Sequence, residues 1–207
     1  MRSQEVAFLL NPAFCGRVLY STIKVYKEKK NKAFPFPLIY LVLPLVLHKE
    51  TRIHINSKTK LQLWIQRYPQ FLIDFPRRAK ELVQITNEAV EFLLQTEKIQ
   101  LTKSGELEIS QTSKILSKTK FVDDEISECL KKAEHVARWF AEAGKVETIY
   151  IAGPEGQAPL TKCEQEVRTI FEPNVGQHWG QEPGTRRNVV PDFWYYSATY
   201  QESEKIR

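Results

Sequence analysis

The 207-residue sequence lacks the short signatures that announce common catalytic chemistries. It has no glycine-rich phosphate loop, no HExxH and no GxSxG, which removes the usual phosphate cradle, zinc-protease helix and nucleophile elbow. Cysteine is scarce. The three present, Cys15, Cys129 and Cys163, are far apart, so neither a metal-ligand pairing nor a secreted disulfide framework can be read, and free thiols in a reducing cytosol are expected. Cys15, set mid-helix among apolar neighbours without an obvious base, reads as an inert core thiol. The opening MRSQEVAFLLNPAF has too short an apolar stretch for a signal peptide and no small-residue cleavage pattern, so a cytoplasmic protein is expected. There is no internal repeat and no low-complexity tract. His48, Glu50 and His54 lie close together but match no familiar ligand spacing, and His135 and His178 have no evident partners. No enzyme, cofactor or metal site is expected.

What is present describes an ordinary soluble composition, 42% hydrophobic and 27% charged, with an uneven charge. Residues 152–207 hold six Lys/Arg against eight Asp/Glu, a balance of −2, so of the net +5 residues 1–151 carry +7. The same tail holds five of the eight glycines and five of the eleven prolines. A boundary near Ala152 follows, between a compact basic domain, 1–151, and a Gly/Pro-rich extension, 152–207.

Residues 36–52, FPLIYLVLPLVLHKETR, organise the chain. The ten residues 38–47 carry no charge, and a segment apolar on every side must be enclosed on every side. Ten helical residues cover about 15 Å against a bilayer core of roughly 30 Å, and Pro44 interrupts them, which excludes a membrane span. Leucine outnumbers the β-branched residues and Pro44 cannot donate to a central ladder, so a buried, proline-kinked helix starting near Pro37 is expected. His48, Lys49, Glu50, Thr51 and Arg52 follow abruptly. They read either as a solvated helix end with cations at the negative pole of the dipole, or as an interaction cluster delivered by a rigid element.

Around this stretch, Asn11 caps and Pro12 opens a helix over 12–29. Ser57 or Thr59 can cap a helix carrying Leu61, Trp64, Ile65 and Tyr68; Pro69 opens a short one, and Pro76 starts a longer one to about Thr96. Residues 98–109, KIQLTKSGELEI, alternate about a turn at residues 103–105 as a β-hairpin does. After a polar connection over 110–122, Asp123 or Asp124 caps an amphipathic helix that Gly144 stops. Residues 146–151 read as a short β segment, Leu160, Cys163, Val167 and Ile170 as one amphipathic helix, and the aromatic run 191–200 either packs back or binds a partner. The fold class expected is mainly α (α+β), a helical bundle around the buried helix with a winged-helix-like helix and hairpin.

That order raises DNA recognition. The candidate nucleic-acid contacts are Lys24 and Lys27 at the end of the first helix, Arg77 and Lys80 before the hairpin, and Lys103 in its turn. The helix before the hairpin also presents Glu81, Glu88 and Glu91, which oppose a duplex carrying one negative charge per about 1.7 Å. A structural or protein-binding winged helix is the favoured reading.

Four blocks, FLLNPAFCGRVLY at 8–20, PLIYLVLPLVLHKETR at 37–52, LWIQRYPQFLIDFPRRAKELV at 63–83 and CLKKAEHVARWFAEAG at 129–144, resemble the middle component of three-component ABC systems. The resemblance covers about 5–151. Asn11, Pro12, Phe14, Cys15, Leu43, Pro44, His48, Thr51, Arg52 and residues 138–140 match its recurrent positions. It implies an ABC-type ATPase and a third, effector component as partners, in a bacterial conflict system directed at phage. On that footing the chain is expected to be a non-enzymatic adaptor, reaching nucleic acid only through the complex and touching no membrane; a DNA-binding winged-helix subunit and a stand-alone regulator are the alternatives. His48, Lys49, Thr51 and Arg52 become the expected partner interface, unless Arg52 is clamped internally by an acid such as Glu50 or Asp74.

Overall fold

Asn11 begins the first helix, α1 (Pro12–Lys30), by accepting the Ala13 N–H on its side-chain oxygen at 2.8 Å, while Pro12 fills a first-turn position where a missing N–H costs nothing. Asn31, in the left-handed conformation at φ 53°, ends it and returns its N–H to the Lys27 carbonyl. A computed structural model describes residues 9–110 and 124–144 of the chain.

The uncharged stretch folds as a 3-10 turn (Phe36–Leu38) running into α2 (Ile39–Val46), and every residue of α2 is buried, with Pro44 inside the helix. Beyond it come α3 (Lys49–Ile53), α4 (Leu61–Arg67), α5 (Gln70–Ile73), α6 (Phe75–Glu81) and α7 (Val83–Gln95). The strands β1 (Ile99–Leu101) and β2 (Leu107–Ile109) and the helix α8 (Asp124–Ala143) complete the described elements. The class is mainly α with one small antiparallel hairpin. α2 touches α1, α3, α6, α7 and α8, so the apolar segment is enclosed as its composition requires. α1 lies against both α7 and α8. Gly16 sets the approach to α7, because a Cβ there would stand 3.3 Å from Phe92 Cδ1 and 3.5 Å from the Ala89 carbonyl oxygen.

The hairpin pairs Ile99 with Ile109 and Leu101 with Leu107, and Gly105 takes φ 72° in its turn. Phe34 exchanges both backbone hydrogen bonds with Leu107 at 2.8 Å, and the Lys27 ammonium bonds the Glu108 carboxylate. The hairpin is thereby fastened to α1. Four local expectations are corrected. The helix expected from Pro76 to Thr96 is broken at Leu82, whose N–H is shared between the Arg78 and Ala79 carbonyls while its own carbonyl takes both the N–H and the hydroxyl of Thr86. Neither Ser57 nor Thr59 caps α4; the helix starts at Leu61, so Lys60 holds the capping position, and it makes no side-chain bond there. His48 to Arg52 do not form the end of the central helix but a separate helix, α3, capped by His48. The start expected near Pro37 is a 3-10 turn rather than α-helix. The readings at 110–122, beyond Ser110, and after Gly144 lie outside the described residues.

Candidate functional site

The last carbonyl groups of a helix have no partner within it, and at the end of α2, where Val46 is fully buried and Leu47 half-buried, solvent does little to supply one. Arg52 supplies it. Its side chain is 1% exposed, and Nη1 donates to the Val46 carbonyl at 3.1 Å and the Leu47 carbonyl at 3.3 Å, placing a cation at the negative end of the helix. The charge so buried is met from α8: Nη2 bonds Glu125, and Nε bonds Glu128 Oε2 at 3.0 Å. Both glutamates keep about a third of their surface in solvent, at 38% and 35%. One guanidinium therefore ties the end of α2, its own short helix and the first turns of α8.

His48 sets the entry to α3. Its Nδ1 accepts the Thr51 N–H at 3.2 Å and lies 2.7 Å from the Thr51 hydroxyl, which requires a ring nitrogen without a proton. Burial holds the imidazole below its ordinary pKa, Arg78 and Arg52 adding to the effect and Glu50 and Asp74 opposing it. Thr51 is buried, and Lys49 and Glu50 are exposed. Above Arg52 lies an open groove of about 470 Å³, bordered by Lys49 and Lys131 and by Asp124, Glu125, Ser127 and Glu128.

Of the four residues expected to form a partner interface, only Lys49 is exposed and His48 is half-buried. Thr51 and Arg52 are enclosed, a correction whose cause is the unmet carbonyls of α2. The internal clamp on Arg52 is made by Glu125 and Glu128, not by Glu50 or Asp74. Three further residues escaped the sequence reading, Arg78 and the two glutamates of α8. Arg78, beside the exposed Arg77, donates to the Phe71 carbonyl at 2.8 Å and sits over the Phe75 ring, with its Nε buried and unbonded. Neighbours in a helix point about 100° apart, so the doublet sends one arginine out and one in. The glutamates of α8 fit the polar side of an amphipathic stripe, and nothing local signals their partner.

Residues 1–152 match the family described as ABC-three component (ABC-3C) system Middle Component 3. The chain belongs to this family. No curated protein and no solved structure matches it. In this Middle Component 3 chain the basic residues weighed for nucleic acid are spread over separate elements. Lys24 lies 3.9 Å from Glu28, Lys27 bonds Glu108, and Arg77 lies 3.2 Å from Glu81 and 4.0 Å from Asp74. Lys80 and Lys103 are exposed. Among the described residues no group of His, Cys, Asp and Glu is arranged to hold a metal, and no helix is long and apolar enough to cross a membrane. Cys15 is fully buried, its thiol pushed up to about 12, first by burial.

Arg52→Ala is expected to destabilise the fold by about 3 kcal/mol, because it takes the guanidinium donor from the Val46 and Leu47 carbonyls and opens a void. Arg52→Lys should recover less than half of this, since one ammonium cannot span two carboxylates and two carbonyls. Denaturant unfolding of both variants measures it; a loss under about 0.5 kcal/mol would return Arg52 to the surface class.

The His48 cap predicts a pH dependence. A histidine held below its unfolded value of about 6.5 contributes stability that is complete above that pH and lost as pH falls through the lower folded value. His48→Asn retains an acceptor for the cap and does not titrate. Between about pH 7.5 and pH 5.5 the variant should lose less stability than the parent, while His135 contributes equally to both curves. Parallel curves would dismiss the neutral-ring cap.

Proposed function

We propose that this chain is a non-enzymatic adaptor linking an ABC-type ATPase to a third, effector component of a bacterial conflict system directed at phage, acting in the cytoplasm. Membership of the Middle Component 3 family over residues 1–152 carries this reading. Support for an adaptor over a catalyst comes from the chemistry of the buried groups: Cys15 is a core thiol, and Arg52 is committed to carbonyls and carboxylates of its own chain. The docking face we assign is the groove between α3, which His48 caps, and α8, where Lys49 and Lys131 border the carboxylates of Asp124, Glu125 and Glu128. Arg52 and Thr51 act beneath it as positioning residues, holding the α3 backbone and the two glutamates in place. Groups so held lose little entropy when a partner arrives, which favours tight docking. Nucleic acid is reached through the assembled complex, since the basic residues weighed for it lie on separate elements and several are already paired.

Co-expression with the neighbouring ATPase and effector should give a complex that survives size-exclusion chromatography, and Lys49→Glu should weaken it tenfold or more while leaving the melting temperature unchanged. A monomer that ignores both neighbours counts against the adaptor. Salt-dependent duplex binding by the chain alone would favour the DNA-binding subunit instead.

A further inference from the structure

Past α3 the chain crosses to the other end of the same side of α8, and it is fastened there twice. The Lys132 ammonium donates to the Ile55 carbonyl, and the Trp139 indole N–H donates to the Thr59 carbonyl. Asn56 stiffens the turn from within, its side-chain oxygen accepting the Lys58 N–H at 3.0 Å and the Thr59 hydroxyl at 2.9 Å. Between this turn and α8 lies a groove of about 240 Å³ that includes Trp139 in its lining.

Its charge is lopsided. Lys58 and Lys60 approach from the turn and Arg138 from α8, against Glu142. Arg138 is pre-set: Nη1 donates to His135 Nδ1 at 2.6 Å and Nη2 reaches Glu134 Oε2 at 3.4 Å, contacts that engage two of its five N–H groups. His135 is held below its ordinary pKa, first by burial and then by Arg138 and Lys132, as expected where positive potential gathers.

Size and surroundings select the ligand. Pockets for whole small molecules run to about 300–1,000 Å³, so this groove suits one charged group rather than a nucleotide. Trp139 is 3% exposed and offers no ring face for a base to stack on. A guanidinium fork held in place matches a carboxylate well. We propose that this groove receives an aspartate or glutamate side chain from an acidic segment of a protein partner, with Arg138 as the fork and Lys58 and Lys60 as flanking charges. The proposal rests on the adaptor reading and names the chemistry of one of its contacts.

The test uses the full chain with its co-purified ATPase and effector, and the double variant Lys58→Glu/Lys60→Glu, whose side chains are exposed and outside the core. Partner affinity should fall at least tenfold with the melting temperature unchanged, and Arg138→Gln should lower affinity in the same direction. A glutamate-rich peptide should displace the partner from the parent chain, and duplex DNA at equal charge should not. Parent-like affinity in the lysine variant overturns the groove and leaves the adaptor standing. Displacement by DNA but not by peptide overturns the acidic segment in favour of nucleic acid. Failure of the parent chain to bind either neighbour removes the adaptor reading and the groove with it.

Discussion

An uncharged helix enclosed on all sides creates a difficulty at its own end, because the carbonyls released there have little water to turn to. Arg52 resolves it by folding back from α3 onto the Val46 and Leu47 carbonyls. That solution buries a cation, and a buried cation without counter-charge is strongly unfavourable, so acids must come from another element. Glu125 and Glu128 supply them from the first turns of α8. The need to finish α2 thus bears on where α8 lies, and the side of α8 that faces α3 and the 57–60 turn carries both polar grooves. Packing and surface chemistry are linked through one side chain.

Farther along α8 the anchoring is aromatic. Trp139 packs 5.5 Å from Trp64, which in turn lies 6.3 Å from Phe71 and 6.1 Å from Tyr68, with His54 against Tyr68 and Phe71. The Trp64 indole N–H donates to the His54 carbonyl at 3.1 Å, so the ring that fills the core also holds the chain leaving α3. On the adaptor reading proposed above, such stiffness near the docking groups favours binding, because order lost on binding subtracts from affinity.

Much of this was legible in the residues. The Asn11-Pro12 pair fixed the start of α1, the alternation about Gly105 gave the hairpin, and the stripe Ile126, Cys129, Leu130, Ala133, Val136, Ala137 and Phe140 gave α8, all of it buried but the half-buried Leu130, because each is a local rule satisfied within a few residues. The composition of 38–47 likewise required enclosure. What was not legible depends on distance along the chain. Arg52 meets its carboxylates 73 and 76 residues later, and no local pattern distinguishes an arginine that turns inward to finish a helix from one that stands in solvent. The break at Leu82 and the uncapped start of α4 are smaller departures: the Leu82 N–H is shared between two carbonyls, and α4 starts one residue too late for Thr59 to cap it.

The claim on which this account turns is that Arg52 and the glutamates of α8 act as one unit. A double-mutant cycle in denaturant unfolding measures it, with Arg52→Met as one perturbation and Glu125→Gln/Glu128→Gln as the other. Neutralising the glutamates alone strands a buried cation, whereas neutralising all three removes the charge that needed them. The combined variant should therefore be more stable than the sum of the two losses implies, by about 1–3 kcal/mol. Additivity within about 0.5 kcal/mol would contradict the account, leaving the end of α2 and the position of α8 to independent causes.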